Sequence, residues 1–292
     1  MNRVRNQQVL EATLEWGREL PGFLPAHALH GVMLTEAFAA GVQDTRGEWI
    51  PGLGEDEPAL RLAAMDLACI LWVDDWFDTR EHTSREVEPG ESLVKVLLGG
   101  SATTPEAVGL ARLRDRFRAA ARDPDDHRLW AETLIDVVRA SQEDRRVSRG
   151  ERTRTWGEYL RDGEHNIAAA HMAFTLSLAY DLGLSTRAAE PRFRRALSHL
   201  CLAMRLRNDL ASAEKERREG NRANGLFVLE RYLSPEQAFA FVDAERLGYE
   251  RMLAREVEAL GPYHPFPRIA RVMVAAVERF YQLPDSRYAD AP

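Results

Sequence analysis

Residues 60–78 read LRLAAMDLACILWVDDWFD. From Leu60 to Val73 the run is apolar around most of a helical circumference, which marks a central helix surrounded by others. It ends in Asp74-Asp75-Trp76-Phe77-Asp78. On a helix Asp74 and Asp78 are i,i+4 neighbours on one face, with Asp75 beside them. Three carboxylates this close repel one another, and the last turn of a helix disfavours negative charge further. A positive partner is therefore expected at this end, and hard oxygen donors of this kind suit Mg²⁺.

The same three- and four-residue apolar spacing recurs along the chain, with few alternating runs rich in β-branched residues. The reading is all-α. Helices are expected over 5–18, 24–41, 57–80, 104–122, 127–147, 153–182, 190–219, 234–258 and 265–282. Pro51-Gly52, Pro89-Gly90 and Gly261-Pro262 punctuate them. No linker or internal repeat interrupts the 292 residues, so one helical domain over 1–292 is expected. A formal net charge of -7 argues against a nucleic-acid surface, so any phosphate binding must be local. The opening MNRVRNQQVLEATLEW lacks the apolar core of a signal peptide. The longest apolar tract, Ile167 to Leu184, is interrupted by His171, Ser177, Tyr180 and Asp181, short of a span of roughly 20 residues. Cys69 and Cys201 form neither a disulfide framework nor a zinc set. A cytoplasmic protein without a membrane partner is the expectation.

A second oxygen-rich pattern is Asn208-Asp209-Leu210-Ala211-Ser212-Ala213-Glu214-Lys215-Glu216. Asn208, Ser212 and Glu216 stand at i, i+4 and i+8, so an amide, a hydroxyl and a carboxylate share one face over two turns. They make a second oxygen-only metal site. Together, D-D-x-x-D and N-D-x-x-S-x-x-x-E resemble the aspartate-rich and N-S-E motifs of bacterial class I terpene synthases. Arg287-Tyr288 resembles the R-Y pair of that family near its C-terminus.

The resemblance implies an all-α bundle around a central apolar cavity, three Mg²⁺ ions and an isoprenoid diphosphate. Position by position, it implies that Asp74 and Asp78 bind metal and that Asp75 pairs with an arginine. Asn208, Ser212 and Glu216 would take the remaining metal, with Lys215, Arg287 and Tyr288 on the diphosphate. The diphosphate-sensing arginine departs from the pattern. Glu164 stands where it belongs, leaving Arg161 one turn earlier and Arg205 one turn before Asn208 as candidates. Tyr159-x-x-x-Gly163-x-x-x-Ile167-Ala168, with Arg218-Glu219-Gly220-Asn221-Arg222-Ala223-Asn224, resembles kaurene-synthase-like enzymes. That points to a bicyclic, copalyl-type diphosphate, with geranylgeranyl and farnesyl diphosphate as alternatives and a hydrocarbon or alcohol as product.

Descending by helical turns from the metal faces gives the expected walls: Ile70, Leu71, Leu67 and Ala64 on one helix, and Met204, Cys201, Leu200 and Leu197 on the other. Ile167, Ala168 and Phe174 would add the helix-break side. Phe77 is a candidate for cation-π stabilisation, as are Trp72, Trp156 and Tyr180.

Asp123-Pro124-Asp125-Asp126 mimics the class II D-x-D-D but reads as a turn and N-cap. His82, His165 and His171 form no zinc set. A prenyl-elongating enzyme would need a second D-D-x-x-D. The reading of a different class is a non-catalytic helical scaffold with solvated acidic ends. A homodimer is compatible with the sequence.

Overall fold

The computed structural model of the chain describes residues 3–44, 57–79 and 90–281, and is helical throughout them. The helices are α1 (Arg3–Gly17), α2 (Pro25–Asp44), α3 (Glu57–Thr79), α4 (Glu91–Leu97), α5 (Pro105–Ala120) and α6 (Pro124–Ser148). They continue with α7 (Trp156–Asn166), α8 (Ala169–Ala179), α9 (Pro191–Glu219), α10 (Gly225–Leu229), α11 (Pro235–Leu260) and α12 (Phe266–Tyr281). Local chemistry sets several ends. Asp123 caps α6 by accepting the Asp125 N–H at 2.9 Å, with Pro124 in the first turn. Thr155 and Glu158 form a capping box on α7, as Ser234 and Gln237 do on α11. Gly220, in the left-handed region at φ 74°, stops α9 just beyond Glu216.

α3, α6 and α8 pack against one another at the centre and α9 against α8, with α11 laid along α9 and α2 against both α3 and α12. One core cluster fills the space between α2, α8, α9 and α12, around Phe38, Phe174, Phe193 and Phe266. A second lies between α3, α5 and α6, where Phe117 stacks on Trp130 at 4.3 Å. A third joins α7, α10 and α11 to α9 through Tyr159, Leu206 and Val242.

The expected helix over 153–182 is two helices. α7 ends at Asn166, and Ala168 takes φ 57° before α8 starts. No proline or glycine marks this break. A left-handed alanine costs of order 1 kcal/mol, and persists only where packing on both sides holds it. α4 and α10 were not expected either; each is under two turns, too short for a periodic signal.

One polar knot ties the centre together. Asp66 on α3 is fully buried and accepts from Trp130 Nε1 on α6 at 3.1 Å and from Thr175 Oγ1 on α8 at 2.6 Å. His171 Nε2, also on α8, lies 3.1 Å from Asp66 Oδ1 and 3.0 Å from Oδ2. Its Nδ1 meets Thr133 Oγ1 at 3.1 Å. A buried carboxylate with this many donors is stable only as a complete set, because removing it strands every donor. Asp66→Ala should therefore cost about 3–5 kcal/mol, read as a lowered urea midpoint with circular dichroism as probe. An unchanged midpoint would contradict the role of this knot.

Candidate active site

The end of α3 and the second half of α9 face one cleft. Ile70, Leu71, Asp74 and Phe77 line it from α3, while Arg205, Asn208, Ser212, Lys215, Glu216 and Glu219 line it from α9. These α9 positions repeat every three or four residues, so the straight helix presents them as a stripe. Ser212 Oγ sits 2.8 Å from the Asn208 carbonyl and 2.5 Å from Glu216 Oε1. Asn224, the N-cap of α10, donates from Nδ2 to the Asp209 carbonyl at 3.0 Å. Asp78 lies within α3, but its side chain is outside the described residues, as are His82, Arg287 and Tyr288.

Asp75 turns away from the cleft wall to His27 on α2, whose Nε2 is 2.8 Å from its Oδ2. The His27 Nδ1 accepts the Leu24 N–H at 2.9 Å, so the proton facing Asp75 is on Nε2. A histidine in the first turn of a helix distant in sequence is thus one partner of Asp75.

Arg205 rather than Arg161 is the arginine at the cleft. Arg161 is exposed on α7, because Tyr159 and Gly163, two residues to either side, occupy the face packed on α9. The Arg205 side chain is 8% exposed, and its guanidinium is held from all sides. Nε donates to Tyr159 Oη at 2.9 Å, Nη1 to Asn166 Oδ1, and Nη2 to Asp144 Oδ2 at 3.4 Å. Tyr159 in turn donates to Asp209, which also accepts the Gly225 N–H at 3.1 Å. Burial pushes the Asp209 carboxyl up to about 7, and Arg205 beside it pulls the other way. A Cβ on Gly163 would come within 3.2 Å of Arg205 Cγ, and one on Gly225 within 2.8 Å of Asp209 Oδ2. Glycine at these two positions makes room for the network.

A wall from α6 was not expected. Val137, Ser141, Asp144 and Ser148 on α6 stand at i, i+4, i+7 and i+11 and line the cleft, next to Asn166 and the expected Ile167 and Ala168 at the break between α7 and α8. In the sequence the four α6 residues are mixed with arginines and glutamates, and only a known partner helix tells which face matters. Of the expected pocket residues, Ile70, Leu71, Phe77, Ile167 and Ala168 line this cleft. Leu67, Phe174, Leu200, Cys201 and Met204 are buried in the core cluster between α2, α8 and α9, against which Ile70, Leu71 and Ile167 also pack. Ala64 packs in a separate cluster with Val9, Val32 and Leu60. Trp72 donates to the Pro21 carbonyl at 3.0 Å, and Trp156 stacks on Tyr159.

Among the described residues no three His, Cys, Asp or Glu side chains form a ready-made metal cluster. The donors at the cleft are an aspartate, an amide, a hydroxyl and a glutamate, all oxygen. This set suits Mg²⁺, which takes one or two carboxylates and completes its shell with water and phosphate oxygens. It lacks the imidazole or thiolate of a zinc or copper site. No helix among the described residues is long and apolar enough to cross a membrane.

Residues 67–246 match the family model described as terpene synthase family 2, C-terminal metal binding. The fold is shared with linalool/nerolidol synthase from Streptomyces clavuligerus in complex with 2-fluorogeranyl diphosphate. The two are 18% identical over 93% of this chain and 91% of that one, with a TM-score of 0.69. It is shared too with 2-methylisoborneol synthase from Streptomyces coelicolor A3(2) in complex with Mg²⁺ and 2-fluoroneryl diphosphate, at 16% identity, 95% and 90% coverage and a TM-score of 0.73. The SVS_A2 protein from ancestral sequence reconstruction aligns at 14% identity over 99% and 86%, with a TM-score of 0.72. With a match spanning both motifs and the all-helical fold around them, the chain belongs to terpene synthase family 2 and is a class I terpene synthase.

Proposed function

We propose that this enzyme ionises a prenyl diphosphate with Mg²⁺ and releases diphosphate as the cation cyclises or rearranges to a hydrocarbon or alcohol. The observation that carries this reading is that Asp74 at the end of α3 and the Asn208, Ser212 and Glu216 stripe of α9 face a single cleft. Asp74 and Asp78 on one side, and Asn208, Ser212 and Glu216 on the other, would hold the ions, three in number by the family resemblance. When bound, Mg²⁺ neutralises the charge that builds on the departing oxygens. Lys215 and Arg205 add fixed positive charge on the α9 wall, with Arg287 and Tyr288 assigned to the same group by resemblance. Ionisation leaves the bonding electron pair on the diphosphate and an allylic cation among Ile70, Leu71, Ile167 and Ala168, which shield it from bulk water. Phe77 offers a π face at the same level.

The favoured substrate is a copalyl-type bicyclic diphosphate. Tyr159, Gly163 and Asn224 serve the Arg205–Asp209 network. That leaves Ile167 and Ala168 as the positions of the kaurene-synthase-like resemblance that face the substrate. A second reading, an acyclic substrate, is favoured by the neighbours crystallised with 2-fluorogeranyl and 2-fluoroneryl diphosphate.

Purified enzyme with Mg²⁺ should convert one of copalyl, geranylgeranyl, farnesyl or geranyl diphosphate, as read by gas chromatography, and should form nothing with EDTA. Asp74→Ala and Asn208→Ala should each lower turnover by about 10²-fold or more with helical circular dichroism retained. Near-normal turnover in either contradicts the metal assignment. Pyrophosphate with Mg²⁺ should raise the melting temperature by mass action. Arg205→Leu should shrink that rise and Arg161→Ala should leave it intact, and the reverse order would return the role to Arg161. At the break, Ile167→Thr is the clean probe, since Ile167 has φ −64° whereas a β-branched residue at Ala168 would be strained. A changed product ratio is expected, and an identical ratio would remove Ile167 from the cation's surroundings.

A further inference from the structure

The α6 stripe is graded. At the mouth Ser148 donates to Asn221 Oδ1 at 2.6 Å, and one turn deeper Asp144 is tied to Arg154 and Arg205. Val137, at the deep end, is apolar. Between them stands Ser141, on the cleft wall, 6% exposed, with no hydrogen-bond partner among the described residues. Seven residues of helix place it roughly 10 Å below Ser148. It is too deep to share the polar mouth and lies on the same cleft as Ile70, Leu71, Ile167 and Ala168. Its oxygen opens on the cleft, and on a cleft wall the partner that meets such a hydroxyl is water. A held water needs two or more polar contacts, and Asp144 and Asn166 are further polar side chains lining the same cleft.

We propose that Ser141 holds a water at the border between the diphosphate site and the apolar depth, and that this water quenches the cation to an alcohol. The inference rests on the proposed ionisation of a prenyl diphosphate in the same cleft. The C–O bond to the diphosphate breaks with its electron pair leaving on oxygen. A lone pair of the water then forms a new C–O bond to the cationic carbon, and the resulting oxonium gives its extra proton to the released diphosphate. Substrate and water become alcohol and hydrogen diphosphate, with no change of oxidation state. Without the water the cation gives a proton directly to the released diphosphate, the C–H bonding pair becomes the new C=C bond, and an olefin results. Ser141 thus decides between the two outcomes as a positioning residue, acting through the water.

The test is the alcohol-to-olefin ratio in reactions run in H₂¹⁸O, a quantity internal to each reaction and independent of the amount of folded enzyme. The wild-type enzyme should give an ¹⁸O-labelled alcohol as a major product. Ser141→Ala should lower the ratio about ten-fold or more, and Ser141→Thr, which keeps the hydroxyl, should retain most of it. An unchanged ratio in Ser141→Ala, or a wild-type product that is hydrocarbon only, overturns the assignment of Ser141 while leaving the proposed ionisation standing. Failure of the wild-type enzyme to consume any prenyl diphosphate overturns both.

Discussion

A guanidinium removed from water must be answered by carboxylate and hydrogen-bond acceptors on every side, and Arg205 is such a guanidinium. Its partners come from four separate parts of the fold: Tyr159 and Asn166 from α7, Asp144 from α6, the Ala223 carbonyl from the segment before α10, and Asp209 one turn on along α9 itself. Breaking such a pair costs about 3–5 kcal/mol because the remaining charge is left uncompensated. α7, α6 and α10 are thereby fixed against α9 at the level from which Asn208, Ser212 and Glu216 project. The α9 stripe proposed to face the metal ions is held in place by this network.

The opposite wall has a related problem. Asp74, Asp75 and Asp78 crowd the last turns of α3, where the helix dipole already disfavours them. Asp75 is drawn aside by the Nε2–H of His27, and Asp74 is left on the cleft. Further down α3, Asp66 meets His171, Thr175 and Trp130. One helix thus carries a carboxylate satisfied within the protein and, two turns later, carboxylates proposed to face an outside cation. Position relative to neighbouring helices, and not residue type, separates the two uses.

Features carried by neighbours in sequence were legible without coordinates. The long helices, the Asp123 cap with Pro124, and the i, i+4, i+8 stripe on α9 follow from helical period and capping chemistry. Features that depend on which helices meet were not. The left-handed Ala168 carries no glycine or proline signal, and His27 lies far from Asp75 in sequence. Arg161 and Arg205 are equivalent candidates until α7 is seen to turn Tyr159 and Gly163 inward. The α6 wall has the composition of an ordinary amphipathic helix. Leu67, Leu200 and Met204, placed by counting turns down from the metal faces, are buried in the core cluster that Ile70 and Leu71 pack against.

The central claim is that the end of α3 and the stripe on α9 share one cluster of divalent ions across a single cleft. Anomalous diffraction from crystals grown with Mn²⁺ in place of Mg²⁺, together with pyrophosphate, tests it directly. Anomalous peaks within coordination distance of Asp74 on one side and of Asn208, Ser212 and Glu216 on the other, bridged by pyrophosphate oxygens, are the predicted result. Peaks confined to other acidic surfaces, with both sets of donors unliganded, would contradict it.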